Sequence, residues 1–317
     1  MKDSLEDIIR KGFGIWRKNP DLALPFLFST LSSIILMVAL ILCFILLFGV
    51  PITLDAQRLL EWGSLAVASR ILELFTVSVL FYIIFLILNM LISSFFYAGA
   101  VGMTKKAIET GRTSLDDMMD TGKRRFLDLL LNQLAITLLS LFAAALFIGV
   151  SLGVFALTSA VGFPQQPVIN FGVRLFTLAE LLLSLVFLMS PFFVVLGEFG
   201  ALGGLTQSYK FFMKNKISVL LMYSFFYFFG SYLLYVPLSV FLLMSSLGLL
   251  LTPIPWNILS LATLSSTIVP LILSLSATFV IAIVAAFLAI LAVLIFVTQP
   301  LATIWLTLLY TSGVEEK

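Results

Sequence analysis

Long apolar stretches, separated by shorter segments that carry most of the charge, make up the pattern along this chain. A helix that crosses the hydrocarbon core of a bilayer needs about 20 mostly apolar residues. Six stretches reach that length, and several are so long that their helices must tilt, kink or extend beyond the core. The predicted spans lie at about 22–49, 72–102, 128–160, 173–197, 217–251 and 264–297. Pro191, Pro237 and Pro270 are the predicted kinks, because proline removes a backbone hydrogen-bond donor.

The composition agrees with a membrane protein. Hydrophobic residues make up 61% of the chain and charged residues only 11%. Soluble domains carry about a quarter charged residues, and one of this size could not bury so much apolar surface in a single core. We therefore predict an all-α polytopic integral membrane protein, a single transmembrane domain over residues 1–317 with six transmembrane helices and cytoplasmic amphipathic elbow helices. The first stretch is too long for a cleavable signal, and residues 298–317 are expected to form a short cytoplasmic tail.

Charge predicts the orientation. Fifteen of the eighteen basic residues fall on one side of this topology, and only Arg58, Arg70 and Arg174 fall on the other. Basic residues are concentrated in cytoplasmic loops, so both termini are predicted to be cytoplasmic, with the protein in the cell membrane. The basic side also holds the residues expected to contact anionic lipid headgroups. These candidate headgroup contacts are Arg10, Lys11, Lys105, Lys106, Arg124, Arg125 and Lys214.

The segments on the basic side have helical periodicity. Residues 1–20 predict an interfacial amphipathic helix that ends at Asn19-Pro20, and residues 202–213 repeat the pattern. Ser114 and Asp117 resemble a helix capping box, with apolar residues beyond them that would face lipid. The apolar positions are Leu5, Ile8, Ile9, Gly12, Phe13 and Trp16 in the first segment, Leu115, Met118 and Met119 in the second, and Leu202, Leu205, Tyr209, Phe212 and Met213 in the third. The recurrence is compatible with three parallel hairpin repeats, or simply with the basic-then-apolar pattern of any span anchored on that side.

Two stretches and the chain's last apolar segment carry a family resemblance. The first runs from Tyr97 to Leu131 through Lys-Lys-Ala, Gly-Arg-Thr-Ser-Leu-Asp-Asp and Lys-Arg-Arg-Phe. The second begins Ser190-Pro191-Phe192-Phe193 and continues through Gly197-Glu198-Phe199-Gly200, and the last segment opens with Gln299-Pro300. Together they resemble the six-span membrane domain attached to some glycerophosphoryl diester phosphodiesterases, YciC-type membrane proteins and uncharacterised archaeal relatives. The resemblance implies a six-helix bundle with cytoplasmic elbow helices. It carries over no catalytic residue, because the soluble phosphodiesterase barrel is absent and this chain has no histidine.

The chain lacks the residue sets of common enzymes. It contains no histidine and one cysteine, Cys43, so it has neither the commonest general base nor the ligands of a Cys/His metal cluster. It has no glycine-rich phosphate loop and no pair of intramembrane aspartates. We predict a protein that is not an enzyme, with no catalytic residue, cofactor or metal site and no nucleic-acid partner.

Polar residues inside the predicted spans are the remaining candidates for a site. A charged residue at the membrane centre costs about 2.5–3.5 kcal/mol on insertion scales, so such residues are functional candidates by default. The candidate intramembrane polar site consists of Glu180, Asn89, Asn132 and Gln133. Each of them also fits the simpler role of a hydrogen bond between helices. Nearer the interface, Asp128 is expected to pair with Arg124 or Arg125, and Glu198 to cap the helix that follows it.

Two functional hypotheses follow. The first is a lipid-interacting scaffold or membrane-organising component, whose partners are membrane lipids; a second copy of the chain or another membrane protein is left open as a partner. The alternative is a transporter or channel with a polar path near Glu180. A path requires the polar groups to converge on one cavity, whereas a scaffold leaves them in separate pairs.

The four tryptophans lie near predicted membrane interfaces. Trp16, Trp62, Trp256 and Trp305 are therefore expected in the aromatic belts at these interfaces.

Overall fold

The computed structural model describes residues 4–48, 64–162, 165–226 and 292–314, and these form helices joined by short turns. In chain order the helices are α1 (Leu5–Lys18), α2 (Leu24–Phe48), α3 (Ser64–Thr110), α4 (Leu115–Ala160), α5 (Gln165–Phe187), α6 (Ser190–Val195), α7 (Ala201–Lys214), α8 (Lys216–Phe226) and α9 (Gln299–Val314). A 3₁₀ turn, Pro20–Ala23, precedes α2, and a π-helical turn, Leu294–Thr298, precedes α9. Most of predicted spans five and six, with Pro237, Pro270, Trp62 and Trp256, lies outside the described residues.

The predicted fold class is confirmed: the chain is an all-α polytopic membrane protein. Within the described ranges, five helical segments are long and apolar enough to cross a membrane. They are Pro20–Leu46, Phe75–Thr110, Leu115–Ala160, Gln166–Val195 and Ile295–Val314. The first four overlap predicted spans one to four, whereas the fifth begins at the end of predicted span six and runs into the predicted tail.

The predicted break between the N-terminal helix and span one is confirmed. Ser4 caps α1, since its hydroxyl oxygen accepts a hydrogen bond from the amide of Asp7. At the other end, the Asn19 side chain donates to the carbonyl of Ile15 at 3.0 Å, and Pro20 opens the 3₁₀ turn. Proline fits the first turn of a helix but cannot continue one, so α1 and α2 are separate helices.

Helices α3 and α4 form a long hairpin closed by Gly111, whose φ of 79° is in the left-handed region that glycine tolerates. The predicted capping box at Ser114 and Asp117 is present at the start of α4. However, no separate elbow helix precedes span three. Helix α4 continues from Leu115 to Ala160 because nothing in residues 115–127 interrupts it.

Close approach of α3 and α4 depends on glycines. A Cβ atom on Gly99 would lie 2.5 Å from the side chain of Met118, and one on Gly102 would overlap Thr121. Small residues permit this contact between membrane helices. Met118, which the sequence places toward lipid, is therefore only 3% exposed, while its neighbour Met119 is exposed as expected.

Proline also interrupts the fourth span, as predicted. Helix α5 ends at Phe187, and α6 begins at Ser190 with Pro191 in its first turn. All residues of the short α6 except Pro191 are buried, so after the break the chain contributes to the protein interior before α7 begins.

Most of the buried residues lie at one end of the bundle, built from α1, the adjoining ends of α3 and α4, and helices α6, α7, α8 and α9. We call it the basic end, because it carries most of the described Lys and Arg residues. Helix α9 lies in this core: Ile304, Trp305 and Leu309 have no exposed surface. Residues 299–314 of the predicted tail thus form a core helix, and Trp305 is a core residue and does not belong to an interfacial belt.

Candidate functional site

Asn132 joins three structural elements at the basic end. Its amide nitrogen donates to the hydroxyl of Ser190 at 2.7 Å and to the carbonyl of Ala201 at 2.8 Å. The Ser190 hydroxyl in turn lies 3.1 Å from the Asn132 carbonyl oxygen. Asn132 and Ser190 are completely buried. The amide therefore holds α4 against the start of α6 and the start of α7, where Gly200 caps the helix without a side-chain hydrogen bond.

The other candidate amides bind serine hydroxyls on neighbouring helices. The Ser33 hydroxyl of α2 donates to the side-chain oxygen of Asn89 on α3 at 2.6 Å. The buried Ser94 hydroxyl of α3 donates to the side-chain oxygen of Gln133 on α4 at 2.8 Å. Each amide satisfies part of its hydrogen-bonding capacity across a helix contact, which is how such residues join helices in membranes.

Glu180 has a partner on another helix. The Ser140 hydroxyl of α4 donates to a carboxylate oxygen of Glu180 on α5 at 3.3 Å, and both residues are half-buried. Arg174, six residues earlier on α5, is exposed. Glu180 thus belongs to the α4–α5 contact.

These four polar residues are distributed over different helix pairs: α2–α3, α3–α4, α4–α5 and α4 with α6 and α7. On α4 alone, Asn132 and Ser140 are separated by eight residues, or about 12 Å along the helix axis. Two cavities between the described spans, of about 430 and 330 Å³, are lined almost entirely by apolar side chains and by none of the four. The described structure therefore pairs each of them with a serine at a different helix contact, although Asn132 and Gln133 are neighbours in the chain.

Arg125 is the least exposed of the predicted headgroup contacts. Its side chain is 14% exposed, and its guanidinium lies 2.7 Å from Glu198 and 3.7 Å from Asp128. The expected Asp128 ion pair is present. The Nε atom of Arg125 is buried with no hydrogen-bond partner in the described part of the chain. Arg125 is therefore paired with two acidic side chains of the protein and presents little of its own surface to lipid.

Glu198 occupies a strained turn between α6 and α7. Its φ of 57° is in the left-handed region, which costs energy for a residue with a side chain. Its hydrogen bond to Arg125, together with that charge, holds the pKa of the carboxyl below its ordinary value of 4.5. The expected role as a cap of α7 is not observed, since Gly200 occupies the cap position.

The other six predicted headgroup contacts remain on the surface of the basic end. Lys105 lies 4.0 Å from Glu109, and Lys106 lies 3.5 Å from Asp117. The exposed residues are Arg10, Lys11, Lys105, Lys106, Arg124 and Lys214.

Sequence reasoning missed the serine partners and a polar cleft. Serines are common in membrane helices, so no sequence signal marks Ser33, Ser94, Ser140 and Ser190 as partners of particular amides. The cleft lies between the end of α1, the end of α3 and α9, and includes Lys11, Lys18, Thr311 and Ser312. It could not be foreseen, because residues 298–317 were expected to form only a tail.

The fold and these pairs define an all-α polytopic membrane protein whose described spans are joined by amide–serine and carboxylate–serine hydrogen bonds. The chain belongs to the family described as a domain of unknown function (DUF7847), whose model matches residues 4–303. Comparison with curated proteins and with solved structures finds no match.

Proposed function

We propose that this protein is a non-enzymatic, lipid-interacting scaffold that organises the membrane around it. The observation that carries the proposal is the distribution of its intramembrane polar groups. Glu180, Asn89, Asn132 and Gln133 each bind a serine hydroxyl at a different helix contact. A transport path would bring such groups together around one water-accessible cavity, whereas these pairs have the geometry of helix–helix hydrogen bonds.

The surface of α7 supports contact with lipid headgroups. One face of this helix, including Leu205, Ser208 and Phe211, is buried in the protein. On the opposite face, Leu202 is 71% exposed and Met213 is 43% exposed. Apolar side chains of this kind, flanked by Lys210 and Lys214, are typical of a helix at a membrane interface. Basic residues in such positions each contribute about 1 kcal/mol of attraction to anionic lipid.

The proposal includes the topology predicted from charge, with both termini in the cytoplasm of a cell. The side-chain amide of Asn19 donates to the carbonyl of Gly111 at 3.3 Å, which supports a common side for the N-terminal segment and the α3–α4 loop. Single cysteines at Arg58 and Arg112, in a Cys43→Ser background, test the topology. We expect membrane-impermeant maleimide to label position 112 from the cytoplasmic side and position 58 from the outside. Labelling of both from one side would refute the topology.

Solvent accessibility tests the absence of a polar path. In the Cys43→Ser background, Asn89, Asn132 and Glu180 are replaced one at a time by cysteine, with Arg112→Cys as the accessible control. We expect a water-soluble thiol reagent to modify position 112 and to leave the three intramembrane positions unmodified. Modification of all three from one side would favour the transporter or channel.

A second experiment separates the two roles of Glu180. In a scaffold, Glu180→Gln keeps a hydrogen bond from Ser140 and changes only the thermal stability of the protein. In a transporter, the same change abolishes ion flux in proteoliposomes while the protein remains folded. Wild-type flux that Glu180→Gln removes would overturn the proposal.

A further inference from the structure

We propose that the cleft between α1, the end of α3 and α9 is a binding site for the phosphate of an anionic lipid headgroup. This inference rests on the proposed interaction with lipids and names the site where it occurs. The cleft has a volume of about 580 Å³ and is open to the surface of the basic end. Its charged lining residues are Lys11 and Lys18, and no acidic residue lines it among the residues described.

The two lysines are arranged for a single anion. They are seven residues apart on α1, which places them on the same face of the helix, about 10 Å apart along its axis. Lysine side chains are long and flexible and carry three donors each, so both ammonium groups can approach a phosphate held between them.

The remaining polar groups of the cleft are compatible with an anion. Helices α1, α3 and α9 all end near the cleft, and free carbonyl groups at helix ends would repel a phosphate. The Asn19 side chain donates to the carbonyl of Ile15 and to that of Gly111, just beyond α3, so neither carbonyl is left unpaired beside a ligand. The hydroxyls of Thr311 and Ser312 donate to backbone carbonyls of α9, at 3.0 and 3.1 Å, and can rotate to donate to a ligand.

Apolar residues complete the cleft. Ile15, Ala107, Ile108 and Leu308 lie in its wall beside the polar group. A free inorganic anion has no apolar group that could pack against this wall. A phospholipid has a glycerol and the first methylenes of its acyl chains next to the phosphate, and these can contact it. The combination favours a lipid over a soluble phosphate ester.

Binding of single lipids to the purified full-length protein in a nonionic detergent tests the site. The probe is dioctanoyl phosphatidylglycerol, with dioctanoyl phosphatidylcholine as the zwitterionic comparison, and native mass spectrometry gives the Kd. The test variant is Lys11→Gln/Lys18→Gln. Its matched control is Arg10→Gln/Arg17→Gln, which removes two charges with the same spacing from the same helix. The arginines lie about 100° around α1 from the lysines and do not line the cleft.

We expect the lysine variant to bind phosphatidylglycerol about 30-fold more weakly, corresponding to about 1 kcal/mol per lysine. The arginine variant should change the Kd less than threefold. Its two residues lie outside the cleft, and a nonionic micelle has no anionic surface with which they could interact. Gly14→Leu provides a second test that leaves the charges intact. A Cβ at Gly14 would meet no atom within 4 Å, so the leucine can fill the cleft without disturbing the fold, and it should weaken binding similarly.

The outcomes separate the site from the broader proposal. If the arginine variant loses as much affinity as the lysine variant, or Gly14→Leu binds normally, the cleft is not the site although the protein still binds anionic lipid. If the wild-type protein shows no preference for phosphatidylglycerol over phosphatidylcholine, the lipid-binding function fails with it. Competition by free glycerol phosphate at the same concentration as the lipid would identify a soluble phosphate ester as the ligand and overturn the assignment to lipid.

Discussion

Two parts of helix α3 differ sharply in their surroundings. Near the basic end, Ala98, Val101 and Met103 have no exposed surface. About three to six turns earlier in the same helix, Leu80 and Ile87 are each 56% exposed. The amino-acid composition is apolar at both positions, so the difference comes from what surrounds the helix and not from the helix itself.

The difference in exposure is explained by the medium that surrounds each part of the helix. In the bilayer core, lipid tails are as apolar as leucine, so helices gain little from burying apolar side chains against one another. At the headgroup and water boundary, the same side chains gain about 25 cal/mol per Å² from burial. The protein accordingly packs a core at the basic end and leaves apolar side chains exposed along the rest of its described spans.

The largest expected effect comes from removing an aromatic side chain from that core. Phe192→Ala removes a completely buried ring, and Phe142→Ala removes one that is 64% exposed on α4. We expect the first to lower the free energy of unfolding by about 3–5 kcal/mol and the second to have little effect. Unfolding in mixed detergent micelles measures both. Equal losses would contradict a core confined to the basic end.

Glycine contacts provide the next test. Gly102→Ala brings a Cβ onto Thr121, whereas Gly153→Ala on the far part of α4 meets no atom within 4 Å. We expect Gly102→Ala to destabilise the protein by about 1–3 kcal/mol through overpacking. Gly153→Ala should be neutral or slightly stabilising, because alanine is the better helix former. The same unfolding assay compares them, and a stabilising Gly102→Ala would show that α3 and α4 are not in close contact there.

A smaller and pH-dependent effect is expected at the Arg125–Glu198 pair. The pKa of Glu198 is lowered in the folded protein, so its contribution is present above its ordinary value of 4.5 and is lost as the pH falls through the folded pKa. Glu198→Gln should therefore lower the melting temperature at neutral pH, and the difference from wild type should shrink below about pH 4.5. Glu109→Gln, at an exposed pair with Lys105, is the control and should change little at any pH. A pH-independent difference for Glu198→Gln would indicate that its effect comes from the strained turn and not from its charge.

The smallest effect is expected at a hydrogen bond between the exposed spans. A double-mutant cycle of Ser33→Ala and Asn89→Ala isolates the coupling across α2 and α3, where the two side chains lie 2.6 Å apart. Hydrogen bonds between membrane helices average about 0.6 kcal/mol in such cycles, and we expect a similar value. A coupling of zero would mean that this pair does not join the helices.

The sequence predicted much of the fold because its signals are local or compositional. Apolar length located the first four spans, Asn19-Pro20 and Pro191 marked real breaks, and Ser114 with Asp117 marked a real cap. Its predictions were wrong where the burial of a side chain depends on contacts with another helix. From the sequence, Met118 is expected to face lipid and Trp305 to lie at a membrane interface. In the structure, Met118 is buried against Gly99 of α3, and Trp305 is buried where α1 and α8 pack on α9.

The candidate site shows the same division. The sequence identified Asn132 and Glu180 as polar groups that need partners, because an unpaired polar group in an apolar medium is costly. It could not identify Ser190 and Ser140, which lie 58 and 40 residues away in the chain. It also did not predict the ion pair between Arg125 and Glu198, which lie 73 residues apart in the chain.

The sequence by itself determined that this is a helical membrane protein with one strongly basic side, since apolar length and charge distribution require no knowledge of contacts. Only the tertiary structure decided that α9 completes the core of the basic end, that the polar groups form separate pairs, and that Lys11 and Lys18 share a cleft. These features depend on which helices meet and at what height. Where lipid can replace a protein neighbour at almost no cost in free energy, hydrophobicity alone cannot specify those contacts.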